Sequence, residues 1–175
     1  MDAAIKVIAA QGLSAPTALI AKEAGVSSGS LFTYFATKAD LLNQLYLELK
    51  TEMAAVALAG LPKGSELREQ MFHMWSNWMN LAIAKPDKRR ALAHLVVSDE
   101  ITSATRATAH KTMGDVAVLL ERSRANGPMR NASMTFVVAI LNSLADATMD
   151  FMIHDPANAK KHCKTGFEAF WRVIG

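Results

Sequence analysis

Residues 15–41, APTALIAKEAGVSSGSLFTYFATKADL, constrain the fold more than any other stretch of the chain. They read as a helix, a short turn, a second short helix and the capped entry to a third. Gly25 stands where the first of these helices must stop, at a position that needs positive φ, which glycine takes without strain. Ala21, four residues earlier, is small enough to let a second helix cross close by. Ile20, Val26 and Leu31 are the expected apolar contacts between the two helices, and Ser27 the expected cap of the second. The pattern is that of a helix-turn-helix, whose second helix is shaped to enter a DNA major groove.

Around this stretch the signals are helical. Apolar residues make up 51% of the 175, strand signals are scarce, and alanine, leucine and methionine favour helix. A first helix is expected over about 2–11, with Ala4, Ile5, Ile8 and Ala9 inward. The second runs over about 15–24, with Ser14 as cap and Pro16 in its first turn. The third covers about 28–35. Thr37 and Asp40 form a capping box for a fourth helix that continues to about residue 59. Gly60-Leu61-Pro62-Lys63-Gly64 is the clearest internal break. Further helices are expected over about 66–84, 87–97, 100–126, 130–154 and 157–174, giving an all-α chain of about nine helices.

The motif Gly29-Ser30-Leu31-Phe32-Thr33-Tyr34-Phe35, followed by Thr37-Lys38-Ala39-Asp40-Leu41-Leu42, resembles the signature of TetR-family transcriptional regulators. Asp2 through Gly12 resembles that family's first helix, so the likeness covers roughly residues 2–47. It implies a helix-turn-helix DNA-binding domain over 1–47 and a helical effector-binding and dimerisation domain over 48–175. It also implies a homodimer formed through the last two helices, a double-stranded, near-palindromic DNA operator as partner, and a cytoplasmic repressor released by a small ligand. By the same resemblance Ser28, Gly29, Ser30, Thr33, Tyr34 and Lys38 fall on DNA-contacting positions. Short hydroxyls can reach base edges or phosphates, Gly29 permits close backbone approach, and Tyr34 and Lys38 offer a phenol and an ammonium to phosphate oxygens. The serines can equally be read as helix caps, and Tyr34 as a packing residue.

The chain departs from that pattern in places. Ala15, Pro16 and Ala18 stand where hydroxyls and an arginine are frequent, and Phe32 where tyrosine is common. In the first fifty residues Lys6, Lys22, Lys38 and Lys50 are balanced by Asp2, Glu23, Asp40 and Glu48, so four minus four leaves no net charge against +3 for the whole chain. Few phosphate contacts per subunit are therefore expected. The family's first helix is usually preceded by an often basic arm, and such an arm is expected upstream of Met1.

The body is expected to hold a small hydrophobic or aromatic effector. Met71, Trp75, Trp78, Met79, Met113 and Met149 would give adaptable apolar walls, with His94, Asn142 and Asp146 to orient a ligand. The same residues at helical spacing also suit a plain core. Nothing in the sequence assembles catalytic or metal chemistry. His73, His94, His110, His154 and His162 form no zinc-type pair, the single Cys163 rules out an internal disulfide, and neither a phosphate loop nor a nucleophile elbow is present. No enzyme activity, cofactor or metal is expected, and the apolar runs fall short of the about 20 residues that span a bilayer. The competing reading is an all-helical small-molecule-binding or enzyme-like protein that keeps the head but has lost specific DNA binding.

Overall fold

A computed structural model describes residues 1–175. It is all-α, with ten helices and one 3-10 turn. In order these are α1 Asp2–Gln11, α2 Thr17–Glu23, α3 Ser28–Tyr34, α4 Lys38–Leu58, α5 Leu67–Ala84, α6 Pro86–Val96, α7 Ser103–Thr112, α8 Gly114–Arg124, α9 Met134–His154 and α10 Ala159–Ile174. The 3-10 turn, Pro156–Asn158, links the last two.

The chain divides into two compact units, Met1–Glu52 with Lys85–Met113, and Met53–Ala84 with Gly114–Gly175. In the first, Ile5, Ile8, Ile20, Leu41, Leu42 and Leu45 form the core. Ala91 and Leu95 of α6, Ile101 and Ala109 of α7 join it, because α6 lies along α1. Polar clips fix the connecting loop. Asn43 on α4 donates to the Glu100 carbonyl (2.8 Å) and accepts from the Thr102 amide (3.0 Å). Arg106 donates to the carbonyls of Val96 (3.0 Å) and Ser98 (2.8 Å), satisfying acceptors that the end of α6 leaves open.

The second unit packs α5, α8, α9 and α10 around Trp75. Its ring is fully buried, stacked on Phe170 with centroids 5.7 Å apart and edge-on to Trp78 at 6.4 Å. Its Nε1 donates to the Cys163 carbonyl (3.0 Å). Asn77 of α5 donates to the carbonyls of Val56 (3.1 Å) and Ala59 (3.0 Å), closing the C-terminal end of α4. The Arg124 guanidinium donates to the carbonyls of Met129, Arg130 and Ala132, which orders the loop before α9.

Four sequence expectations change. The helix expected over 100–126 is two, broken at Met113. Gly114 is a weak helix former there, and α7 is threonine-rich, with Thr108 and Thr112 bonding back to the carbonyls of Ala104 and Thr108. Pro16, rather than Ser14, is the N-cap of α2, in an extended conformation with no side-chain cap bond. Val26 is 41% exposed, so of the three expected apolar contacts only Ile20 and Leu31 are buried, with Ala21 beside them. The helix expected from 130 begins at Met134, capped by Ser133, whose Oγ accepts from the Phe136 amide. That helix, α9, is long and apolar enough to cross a membrane by length and composition. Its inner residues Val137, Leu141, Ala145 and Met149 are buried in the second unit.

Candidate nucleic-acid interface

The turn between α2 and α3 is built from backbone hydrogen bonds that the sequence dictates. Gly25 has φ of 69°. Its amide donates to the Lys22 carbonyl (3.1 Å), and the Val26 amide to that of Ala21 (3.0 Å). This nested pair ends α2 and turns the chain at once into α3. Ser27 caps α3, its Oγ accepting from the Ser30 amide (3.0 Å) and lying 2.9 Å from the Ser30 hydroxyl. Ser27→Ala is expected to cost about 1 kcal/mol, a melting-temperature loss of roughly 2–4 °C in a chain of this size. Thermal denaturation followed by circular dichroism checks it; an unchanged melting point would mean that the cap does not contribute to stability.

Leu31 is the one buried residue of α3. Ser28, Gly29, Ser30, Phe32, Thr33 and Tyr34 all face solvent, with Tyr34 77% exposed. The phenol is therefore available rather than packed. Thr33 is exposed and donates its hydroxyl to the Gly29 carbonyl (3.3 Å). Phe32, which stands where tyrosine is common in the family that the motif resembles, is 46% exposed. In place it is an apolar ring on the presented surface, a group able to contact thymine methyls.

After α3, the Thr37–Asp40 box forms as its residues suggest. The Asp40 amide donates to the Thr37 hydroxyl oxygen (3.0 Å), while Thr37 returns its amide and hydroxyl to the Asp40 carboxylate. Lys38 is half-buried, and its ammonium donates to the Ala15 carbonyl at 2.8 Å. One of its three donors is thus committed to fixing the start of α2. Lys6 is paired with Glu23 at 3.1 Å on the exposed surface. Burial holds the Lys50 ammonium below its ordinary value, and its Nζ lies 5.8 Å from the centre of the Tyr46 ring. The basic run of α6 is also engaged: Lys88 meets Glu52 at 2.5 Å, and Arg90 meets Asp87 at 3.6 Å.

The residues singled out for an effector fall in different surroundings. Met71, Trp75, Met79 and Met149 are together in the core of the second unit. Trp78 is half-buried beside them. Asn142 and Asp146 are exposed on α9. His94 and Met113 belong to the first unit, with His94 exposed on α6. None of the nine lines the cleft of about 480 Å³ that opens between α5 and α10. That cleft was invisible to sequence reading because its walls are about a hundred residues apart, as Arg68 and Glu168 are.

Elsewhere, burial pushes the Cys163 thiol up, away from the reactive thiolate. Hydrogen bonds from His162 and Asn158 hold the Asp155 carboxyl below its usual range. No three His, Cys, Asp or Glu side chains converge as a metal-binding set.

An all-helical chain with a capped, outward-facing second helix in a helix-turn-helix is the architecture of a DNA-binding transcription regulator. Residues 1–45 match the family of bacterial regulatory proteins, tetR family. A crystal structure assigned as a tetR family transcription regulator, from Shewanella sp. PV-4, superposes with a TM-score of 0.86 at 26% identity, covering 97% of this chain and 93% of that one. A TetR family transcription regulator from Marinobacter aquaeolei VT8 gives a TM-score of 0.84 at 18% identity, over 97% and 90%. The fatty acid degradation regulator FadR from Bacillus halodurans shares the fold at 0.72 and 16% identity, over 97% and 95%. Residues 1–45 thus match the DNA-binding part of the tetR family, and the chain as a whole shares the fold of TetR family transcription regulators.

Proposed function

We propose that this protein is a one-component transcriptional repressor that acts as a homodimer and leaves a near-palindromic operator when a small hydrophobic or aromatic effector binds. The observation that carries the reading is α3 itself. A seven-residue helix that buries only Leu31 and exposes hydroxyls, a phenol and a phenyl ring contributes little to its own core, and its surface matches base edges and phosphates. Ser28, Gly29, Ser30, Thr33, Tyr34 and Lys38 are the proposed contacts. The test is binding of the purified protein to DNA flanking its own gene, with scrambled DNA as control. Specific binding that falls about tenfold on Tyr34→Ala or Lys38→Ala, roughly 1.4 kcal/mol, supports the assignment. Specific binding indifferent to both substitutions removes these residues from the contact set.

The poverty of free cations has a measurable consequence. With Lys6 paired and Lys38 partly committed, about two cations per head remain for phosphates, or about four per dimer. The slope of log K against log[salt] is then expected near −4, at about −0.9 per phosphate contact. An operator titration with a slope steeper than about −7 would contradict this account of the head.

For the effector, the methionines around Trp75 support the reading, since unbranched, polarizable side chains repack readily around a guest. Trp75 and Trp78 fluorescence, titrated with apolar and aromatic ligands, reports entry. For dimerisation through α9 and α10, support comes from Phe136, Phe151 and Ile153, large apolar side chains exposed on α9 at 55%, 63% and 42%. Light scattering at micromolar concentration should give twice the chain mass. We place the protein in the cytoplasm and assign it no catalytic role.

A second reading keeps one specific observation on its side. A neutral head whose Lys38 already serves the Ala15 carbonyl also suits a ligand-binding protein that no longer recognises DNA. Ligand-induced fluorescence change without any specific DNA affinity would select it.

A further inference from the structure

The cleft between α5 and α10 takes no part in the DNA-binding or effector roles proposed above. Its floor is aromatic. Phe72, 37% exposed, and Phe167, fully buried, tilt at 56° with centroids 4.9 Å apart. Its rim is charged and ordered. The Arg68 guanidinium lies 5.6 Å from the Phe167 ring centre and is held there by Glu168 at 2.5 Å. Two further lining groups, Lys164 on α10 and Glu69 on α5, have no ion-pair partner. Arg68 and Glu168 cancel one another, so the unsatisfied charges of the cleft are one cation and one anion on opposite walls.

A ligand carrying a single charge would be attracted by one of these groups and repelled by the other. A molecule carrying both charges satisfies the pair, and an apolar plane between them covers Phe72. We propose that this cleft binds a zwitterion with a flat apolar side chain, the chemistry of an aromatic α-amino acid. Its carboxylate meets Lys164, its ammonium meets Glu69, and its ring lies on Phe72. The volume of about 480 Å³ lies within the range of small-molecule sites. The open rim keeps the ion pairs screened, so the ring carries most of the affinity and the charges supply selectivity.

The proposal is independent of the DNA-binding reading, and its test uses no DNA. The full-length protein is titrated by calorimetry and ligand-observed NMR with L-phenylalanine. The comparison probes are 3-phenylpropanoate, which lacks the ammonium, phenethylamine, which lacks the carboxylate, and alanine, which lacks the ring. Saturable phenylalanine binding with a dissociation constant of about 1 mM or tighter is expected, with each comparison probe at least about fivefold weaker. Phe72→Leu, Lys164→Gln and Glu69→Gln should each weaken phenylalanine binding about three- to tenfold, while Lys160→Gln, an exposed cation elsewhere on α10, should not. Phe72→Leu keeps the apolar bulk, and a melting curve for each variant separates lost binding from lost folding. Absence of saturable binding overturns the proposal, as does binding indifferent to Phe72→Leu. Equal affinity for 3-phenylpropanoate and phenylalanine also overturns it, by showing a simple anion site.

Discussion

Trp75→Ala is expected to cost about 3–5 kcal/mol and to lower the melting temperature by roughly 6–20 °C at about 2–4 °C per kcal/mol. The ring is completely buried and meets Phe167, Phe170 and Trp78, so truncation opens a cavity in the middle of the second unit and strips contacts from three aromatic neighbours. The indole N–H is also lost as a donor to Cys163. Trp75→Phe separates the two contributions. It keeps most of the stacking and removes the hydrogen bond, and should cost only about 1–2 kcal/mol. The distribution of fluorophores helps the measurement. Trp75, Trp78 and Trp171 all lie in the second unit, whereas both tyrosines, Tyr34 and Tyr46, lie in the first. Tryptophan emission during urea denaturation follows the second unit, and circular dichroism follows helix in both. If the two signals separate in Trp75→Ala, the units unfold independently. If Trp75→Ala costs less than about 1.5 kcal/mol, the core is not organised around this ring.

The features legible in the sequence are those that depend on neighbours a few residues apart. The Gly25 stop, the Ser27 cap and the Thr37–Asp40 box all close over three to five residues, and each forms as its residue types require. Helix periodicity likewise exposes the inner stripes of α1 and α10, where Ile5 and Ile8, then Phe167 and Phe170, are buried. What the sequence hides is decided by distant partners. Nothing local shows that α6 lies along α1 and shares its core, or that Asn43 clips a loop nearly sixty residues away. Val26 is apolar and correctly spaced, yet 41% exposed, while Ile20, Ala21 and Leu31 are buried. Lys38 shows the same limit at the candidate site. Its residue type suggests a phosphate contact, and only the fold reveals that one of its donors is already bound to Ala15. The methionine and tryptophan side chains carry no local mark that tells core from ligand wall, since either use selects the same residues at the same spacing.

Gly166→Val is expected to be the most damaging change at the crossing of α9 and α10, the helix pair proposed to form the dimer. A Cβ on Gly166 would lie 2.1 Å from the Thr148 hydroxyl oxygen, 2.9 Å from its Cγ2 and 3.0 Å from its Cβ. Thr148 is buried and donates that hydroxyl to the Leu144 carbonyl at 2.7 Å, so it cannot swing aside without losing a hydrogen bond or crowding its own helix. Two opposing effects meet at this position. Replacing a mid-helix glycine by alanine gains about 1 kcal/mol of helix propensity, while overpacking costs about 1–3 kcal/mol. At 2.1 Å the steric cost wins, so Gly166→Ala should be destabilising despite its better propensity. Valine adds two methyl groups and loses most of the propensity gain, which takes the expected loss to about 3 kcal/mol. Thr148→Ala removes the hydroxyl and the methyl group and leaves only the 3.0 Å contact. In a double-mutant cycle it should recover at least about 1 kcal/mol in the Gly166→Ala background, while alone it is mildly destabilising. If dimerisation uses this helix pair, the self-association constant should fall with stability in Gly166→Val and return with it in the alanine double variant. A Gly166→Ala protein more stable than the parent would show that α9 and α10 are not held at this close separation.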